Sequence, residues 1–372
     1  MTNVSLERLI DRYVGGVLCF LCRSKTPDQK SKIKDQRSKI ESILVVRLWT
    51  LGETLLTLPM MKRLREEFPD TKITVLARDR NKGIFKYVDF VDEILSFEAE
   101  NIGKILKMRG KFDLAIDTEP YLRISGLLAR FLGKRQIGFD HGVRGRVYGE
   151  KVRYDADKHC AEIMCDLLWP LGIKYRPDEL VRLEVSGQAK RSVKAKLDKF
   201  SKGKIIGMHP STAESATYRA WPKKRFAALI NALDTTVVLT GAKGEHKFNE
   251  EIVKMCRNER VVNLAGLLSF EEFIALFDYL EAYVSNDTGP MHLAAAQGCK
   301  TIGLFGPNLP ERFGPYPLSE NKAIYCAGEL PCSPCISVHT GKFRKCQRIK
   351  DGTGECMTLI GVDAVLNQIS KK

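Results

Sequence analysis

Ile43-Leu44-Val45-Val46-Arg47-Leu48 is a short, continuous, β-branched apolar run, the pattern of a strand buried on both faces. Working outward from it, Leu55 to Phe68 reads as a helix, Lys72 to Leu76 and Phe112 to Ile116 as strands, Leu122 to Leu132 as a helix and Gln136 to Phe139 as a short strand. The pattern restarts with a strand at Lys204 to Met208. A helix at Pro222 to Leu233, a strand at Thr236 to Thr240, a helix at Glu245 to Cys256 and a short strand at Val261 to Asn263 follow. Ser269 then caps a helix to Asp278, Ala282 to Ser285 is a strand, Pro290 to Gln297 a helix and Thr301 to Phe305 a strand. Strand–helix alternation over short loops predicts an α/β architecture of two successive parallel-sheet domains with a cleft between them. The expected boundaries are an N-terminal segment 1–40, a first domain 41–185, a charged Lys- and Ser-rich hinge 186–203 and a second domain 204–372, with a cysteine-rich tail at about 326–358.

The 372 residues suit two domains of ordinary size, and 44% apolar with 28% charged residues is the balance of a soluble globular protein. A net charge of +15 favours partners that carry negative charge: phosphorylated sugars, anionic lipid or nucleic acid. Eleven cysteines in so long a chain do not make a secreted disulfide framework and point to a reducing cytoplasm. The longest apolar run, Tyr13 to Cys22, falls short of the roughly eighteen residues that span a bilayer. Leu6, Leu9, Ile10, Tyr13 and Val17 fall at helical spacing, and a basic run from Arg23 to Lys39 follows. Such a segment lies in a membrane interface against anionic lipid, or packs on the protein ahead of a solvated linker.

The chemistry concentrates at Val284-Ser-Asn-Asp287-Thr288-Gly289-Pro290-Met291-His292. A strand ends, a loop turns on Gly289, and Pro290 stands where helices often begin. Free amides and the positive end of a helix dipole at a strand's carboxyl end make an anion site. Thr288 adds a hydroxyl and His292 a ring donor, while Asp287 is better suited to holding loop amides or a cation than to meeting an anion. A second loop, from Ser211-Thr212 to Arg219-Ala220-Trp221-Pro222, offers hydroxyls and a guanidinium fork. In a third, Glu245 opens a helix, where it contacts ribose hydroxyls or merely complements the dipole. In the first domain Glu53 opens the helix after the first strand and is the candidate general base, with Asp117 and Glu119 next in line. Arg47, Arg78, Arg123, Arg144 and Arg146 form a candidate surface for an acidic acceptor.

Gly52-Glu53…Leu58-Pro59, Ser211-Thr212…Arg219-Ala220-Trp221-Pro222 and Asp287-Thr288-Gly289-Pro290-Met291-His292 occur here in the order seen in glycosyltransferase family nine, which the chain resembles from about Ile43 onward. The resemblance implies a GT-B fold, an ADP-heptose donor, inversion at the anomeric carbon, no required cofactor or catalytic metal, and an acidic, lipid-linked lipopolysaccharide core as acceptor. It places Glu53 where the family has an aspartate base, one methylene shorter. It implies that Thr288, Gly289 and His292 meet the diphosphate, with Ser211, Thr212 and Arg219 as companions and Glu245 at the ribose. The expected seat of such an enzyme is the inner face of the cytoplasmic membrane.

Cys332 and Cys335 have the spacing of a metal knuckle, but Cys346 and Cys356 come singly, so the zinc pattern is incomplete. Reduced thiols packing a loop are expected, with structural zinc or an iron–sulfur cluster as the alternative. Two rivals fail on motif: no Gly-x-Gly-x-x-Gly of a dinucleotide oxidoreductase follows a first strand, and no recognition signature of a nucleic-acid-binding protein accompanies the basic charge.

Overall fold

A computed structural model describes residues 3–22, 40–201, 203–326, 330–337, 342–343, 346–350 and 352–371. The chain forms two compact units that divide between Asp178 and Glu179.

In the first unit, β1 (Ser42–Val46), β2 (Lys72–Ala77), β3 (Glu93–Ser96), β4 (Phe112–Asp117), β5 (Gly133–Phe139) and β6 (Glu150–Val152) pair in parallel in the order β3-β2-β1-β4-β5-β6. Leu44 and Val46 join one apolar cluster beneath the helix Arg123–Leu132, while Ile43 and Val45, equally buried, point to the opposite face. Both faces are therefore covered, as the apolar run from Ile43 requires. The helix after β1 runs from Leu51 to Glu67, starting earlier than the sequence pattern suggested, so Glu53 sits in its first turn.

The second unit repeats this plan. β7 (Ile205–His209), β8 (Thr236–Leu239), β9 (Val261–Asn263), β10 (Ala282–Asn286), β11 (Thr301–Phe305) and β12 (Lys322–Tyr325) pair in parallel in the order β12-β11-β10-β7-β8-β9. Neighbouring residues again serve opposite faces: Ile206 packs with the helix Lys223–Ala232, Ile205 with the helix Gly187–Leu197. Residues 186–203, read from their charge as a hinge, hold that second helix, which buries Ala189, Val193 and Leu197 at four-residue spacing and belongs to the second unit. Each sheet reverses its strand order once, between β1 and β4 and between β7 and β10. Open α/β sheets bind ligands at the carboxyl ends of strands beside such a reversal.

The helix Asn3–Leu21 packs on the helix Arg123–Leu132 and the turn Gly142–Val147. Asp11 accepts the amide protons of Arg123 and Ile124, at 3.0 and 2.7 Å, capping that helix from outside. Cys19 is buried beneath it, and Tyr13, Val14, Val17, Leu18, Phe20 and Leu21 face outward, Tyr13 at 64% and Leu21 at 70% exposure. The side chains of Leu6, Leu9 and Ile10, and the basic run from Arg23 to Lys39, lie outside the described residues. No helix among the described residues is long and apolar enough to cross a membrane.

Candidate active site

At the reversal between β7 and β10, three loops meet. Asn286, at the end of β10, ties two of them together: its Oδ1 accepts the Trp221 amide at 2.9 Å and its Nδ2 donates to the Pro210 carbonyl at 2.8 Å. Asp287 follows, buried, with Oδ2 accepting from Nη1 of Arg219 at 3.3 Å and from Nδ2 of Asn308 at 3.0 Å. Arg219 is thus aimed at the start of the helix Gly289–Ala296, whose Thr288, Gly289 and Pro290 remain half-exposed while everything from Met291 is buried. The Thr288 hydroxyl lies 3.2 Å from that of Ser285. A half-exposed first turn, with its amides unclaimed by the helix and a guanidinium beside it, is an anion-binding arrangement.

His292 lies one turn in and is buried, with Nδ1 lacking a hydrogen bond; burial pulls it down to about 4, so the imidazole is neutral at neutral pH. Ser211, beside β7, donates its hydroxyl proton to Oε1 of Glu245 at 2.5 Å and lies 3.3 Å from Nε2 of His209. The second oxygen of Glu245 accepts the Ala242 amide at 2.6 Å. Burial also pulls His209 down, against the opposing charge of Glu245. Thr212 turns its hydroxyl back on the Ala216 carbonyl at 3.2 Å. All eight residues expected on this side lie in the loops and helix starts that follow β7, β8 and β10. Asn286, Asn308 and His209 are not among the residues expected from the sequence, although Asn286 and His209 are the last residues of β10 and β7.

In the first unit the reversal falls between β1 and β4, and Glu53 stands there. Its Oε2 accepts from Nη2 of Arg47 at 2.8 Å and from the Thr50 hydroxyl at 3.1 Å. Glu119, wholly buried, accepts the amides of Leu48 and Trp49 through Oε1 at 2.7 and 2.8 Å. Burial pushes the Glu119 carboxyl up, Arg47 pulls it back, and Glu53 pushes it up again. Asp117 is spent internally, its Oδ2 accepting from Ser125, Arg144 and Tyr148 at 2.8, 2.6 and 2.6 Å.

The expected cluster of acceptor-facing arginines needs correction. Arg47 and Arg144 have 0% and 2% exposure and are consumed in the ion pairs just described, so neither can meet an acceptor. Arg78 pairs with both oxygens of Glu98 at 3.1 Å. Arg123 lies along Gly15 and Gly16 of the N-terminal helix, and Arg146, exposed, stacks 4.9 Å over the Phe20 ring.

The family whose sequence model matches residues 102–343 is glycosyltransferase family 9 (heptosyltransferase). The chain belongs to this family.

As a family 9 glycosyltransferase, it is 24% identical over 314 residues to lipooligosaccharide heptosyltransferase 2 of Campylobacter jejuni subsp. jejuni serotype O:2, covering 80% of this chain and 91% of that one. It is 26% identical over 303 residues to lipopolysaccharide heptosyltransferase 3 of Escherichia coli, covering 75% and 86%. The solved structure of E. coli ADP-heptose lps heptosyltransferase II aligns with a TM-score of 0.70 at 22% identity, over 88% of this chain and 97% of that one. The GT-B fold expected from the sequence is thereby shown.

The tail of this glycosyltransferase packs on its second unit. The carbonyl of Ile360 accepts the Trp221 indole proton at 3.0 Å, and Cys356 lies with Cys326 in the same apolar cluster as Trp221. The Cys326 thiol and burial both push Cys356 up, as suits a buried thiol. Cys332 is exposed, Cys335 and Cys346 are half-buried, and none of the four tail cysteines is in a disulfide. Among the described residues no group of three or more His, Cys, Asp or Glu is arranged to hold a metal ion.

Proposed function

We propose that this enzyme transfers a heptose, or a closely related sugar, from an ADP-sugar to a lipopolysaccharide core or similar acidic glycolipid, with inversion and without a catalytic metal. One observation carries the reading. The half-exposed first turn at Thr288 and Gly289 is flanked by Arg219 at the strand-order reversal of the second sheet, where a diphosphate would find fixed donors. The choice of heptose and of the core acceptor rests on the relatives, whose names specify lipopolysaccharide or lipooligosaccharide heptosyltransferases.

In this mechanism the second unit holds the donor and the first supplies the base. Glu53 takes the acceptor hydroxyl's proton, the oxygen attacks the anomeric carbon from the face opposite ADP, and the bond to the diphosphate breaks. The charge that grows on the leaving oxygens is met by the amides at Thr288 and Gly289, by Arg219 and by the neutral His292, all fixed before the reaction. Ser211 and Thr212 line the phosphate side and Glu245 the ribose. With a cation and a helix terminus at the diphosphate, no divalent ion or other cofactor is needed; the ADP-sugar is a substrate.

The acceptor's lipid anchor places the enzyme at the inner face of the cytoplasmic membrane. The outward row from Tyr13 to Leu21, beside exposed Arg12, supports contact with that surface.

The test is a screen of nucleotide sugars by calorimetry, followed by turnover of the best binder with core acceptors in EDTA. ADP-heptose is expected to bind best and turn over. Tight binding of a different nucleotide sugar, with ADP-heptose inert, would assign the enzyme to another surface glycan.

A further inference from the structure

A buried arginine is stable only when its charge is answered nearby. Arg47, at 0% exposure, is answered twice: Nη2 donates to Oε2 of Glu53 at 2.8 Å, and Nε lies 3.7 Å from Oε1 of Glu119. Its Nη1 donates to the Thr118 carbonyl at 3.1 Å, which anchors the guanidinium to the loop after β4, and its backbone carbonyl accepts from Asn81 at 3.0 Å, which ties the end of β1 to the loop after β2. Glu119 is equally fixed, by the two amides that lead from β1 toward Glu53.

We propose that Arg47 and Glu119 are positioning residues for Glu53, one buried guanidinium bridging two carboxylates so that Oε2 of Glu53 is held and Oε1 is left to receive the acceptor proton. This rests on the reading of Glu53 as the base. In the resting enzyme Arg47 is shared by two carboxylates. When the acceptor O–H breaks, its proton goes to Oε1, its electron pair forms the new glycosidic bond, and the donor's bonding pair leaves with the diphosphate. Glu53 is then neutral, and Glu119 alone answers Arg47. The buried cation is compensated in both halves of the cycle, which a lone Arg47–Glu53 pair could not achieve. Sequence spacing could not reveal this, because Arg47 and Glu119 lie on different strands' loops.

The other titratable groups around the carboxylates are Asp117 at the end of β4, Tyr121 from the loop after it and the Cys160 thiol from the helix packed on Leu51–Glu67. Asp117 is tied to Arg144, and burial keeps Cys160 protonated, so neither replaces Glu119.

The experiment is the pH profile of kcat/KM for the full-length enzyme and for Glu119→Gln, Arg47→Lys and Glu53→Gln, each checked for folding by circular dichroism. Glu119→Gln keeps a carbonyl to accept the Leu48 and Trp49 amides, so the loop is preserved while the charge is lost. Arg47 then acts on Glu53 alone: the acidic limb is expected to move down by about one pH unit, and the plateau to fall roughly threefold to tenfold as the base weakens. Arg47→Lys keeps the charge but not the fork, and is expected to lower kcat while leaving the acidic limb within about half a unit of wild type. A folded Glu119→Gln enzyme with an unmoved limb and plateau would overturn the inference. Near-normal turnover in Glu53→Gln would instead overturn the base assignment on which it rests.

Discussion

Arg219 and Asp287 share an ion pair of 3.3 Å across two loops of one sheet. A carboxylate would repel the proposed diphosphate, and this pairing accounts for its presence: it aims the guanidinium at the helix start, with Asp287 turned to the protein. Asn308 holds the same carboxylate oxygen at 3.0 Å, so Asp287 is occupied on the protein side.

Removing that cation should reach both binding and chemistry. For Arg219→Met, kcat/KM for the ADP-sugar is expected to fall by about 10²–10³, with part of the loss in kcat, because in the proposed mechanism the guanidinium meets charge that grows in the transition state. Steady-state kinetics over donor concentration would show it; a loss in KM alone would mean uniform binding.

The base assignment predicts a loss without unfolding. Glu53→Gln is expected to cost about 10²–10⁴ in kcat while the protein stays folded and still binds ADP. Single-turnover rates with matched calorimetry separate the two effects.

His292 makes stability depend on pH in a definite direction. Unfolded, the ring takes its proton near 6.5; folded, burial delays this to about 4. Between those values unfolding takes up a proton, so His292 opposes stability there: the free energy of unfolding should fall by up to about 3 kcal/mol as pH drops from about 6.5 to about 4. Other groups titrate in this window, so the measurement is the difference in slope between wild type and His292→Gln in urea melts. Equal slopes would contradict the buried neutral ring.

The N-terminal helix should behave as an interfacial anchor. Replacing Tyr13, Val17 and Leu21 by serine removes outward apolar surface and leaves the Asp11 cap in place. Sedimentation with anionic phosphatidylglycerol vesicles is expected to weaken on the order of tenfold or more, with turnover on a soluble acceptor fragment unchanged. Equal sedimentation of wild type and variant would reject the anchor.

Much of this architecture was legible because buried parallel strands announce themselves: β1, β7, β10 and β11 are mostly apolar and almost wholly buried. β3, β6 and β12 escaped notice, and all three are short edge strands with half-exposed residues, which lack that signal. The helix Gly187–Leu197 was hidden by its lysines, although Ala189, Val193 and Leu197 kept the helical spacing. The motif residues of the second unit do lie together, since strand-end position alone brings them there. Arg47, Arg78 and Arg144 of the first unit were misjudged for the opposite reason: whether a charge is paired depends on a partner far along the chain, as Arg47 has in Glu119, Arg78 in Glu98 and Arg144 in Asp117.

Gly303 on β11 shows how far a ligand site reaches into the scaffold. A methyl group there would stand 2.6 Å from the Met291 sulfur, on the helix whose first turn faces the proposed diphosphate. Even an alanine at this strand position would have to push that helix outward or displace Met291. The shape of the proposed donor pocket is thus set partly by an atom that is missing from the floor beneath it, and attempts to retune sugar choice through the visible loops alone will inherit a constraint written elsewhere.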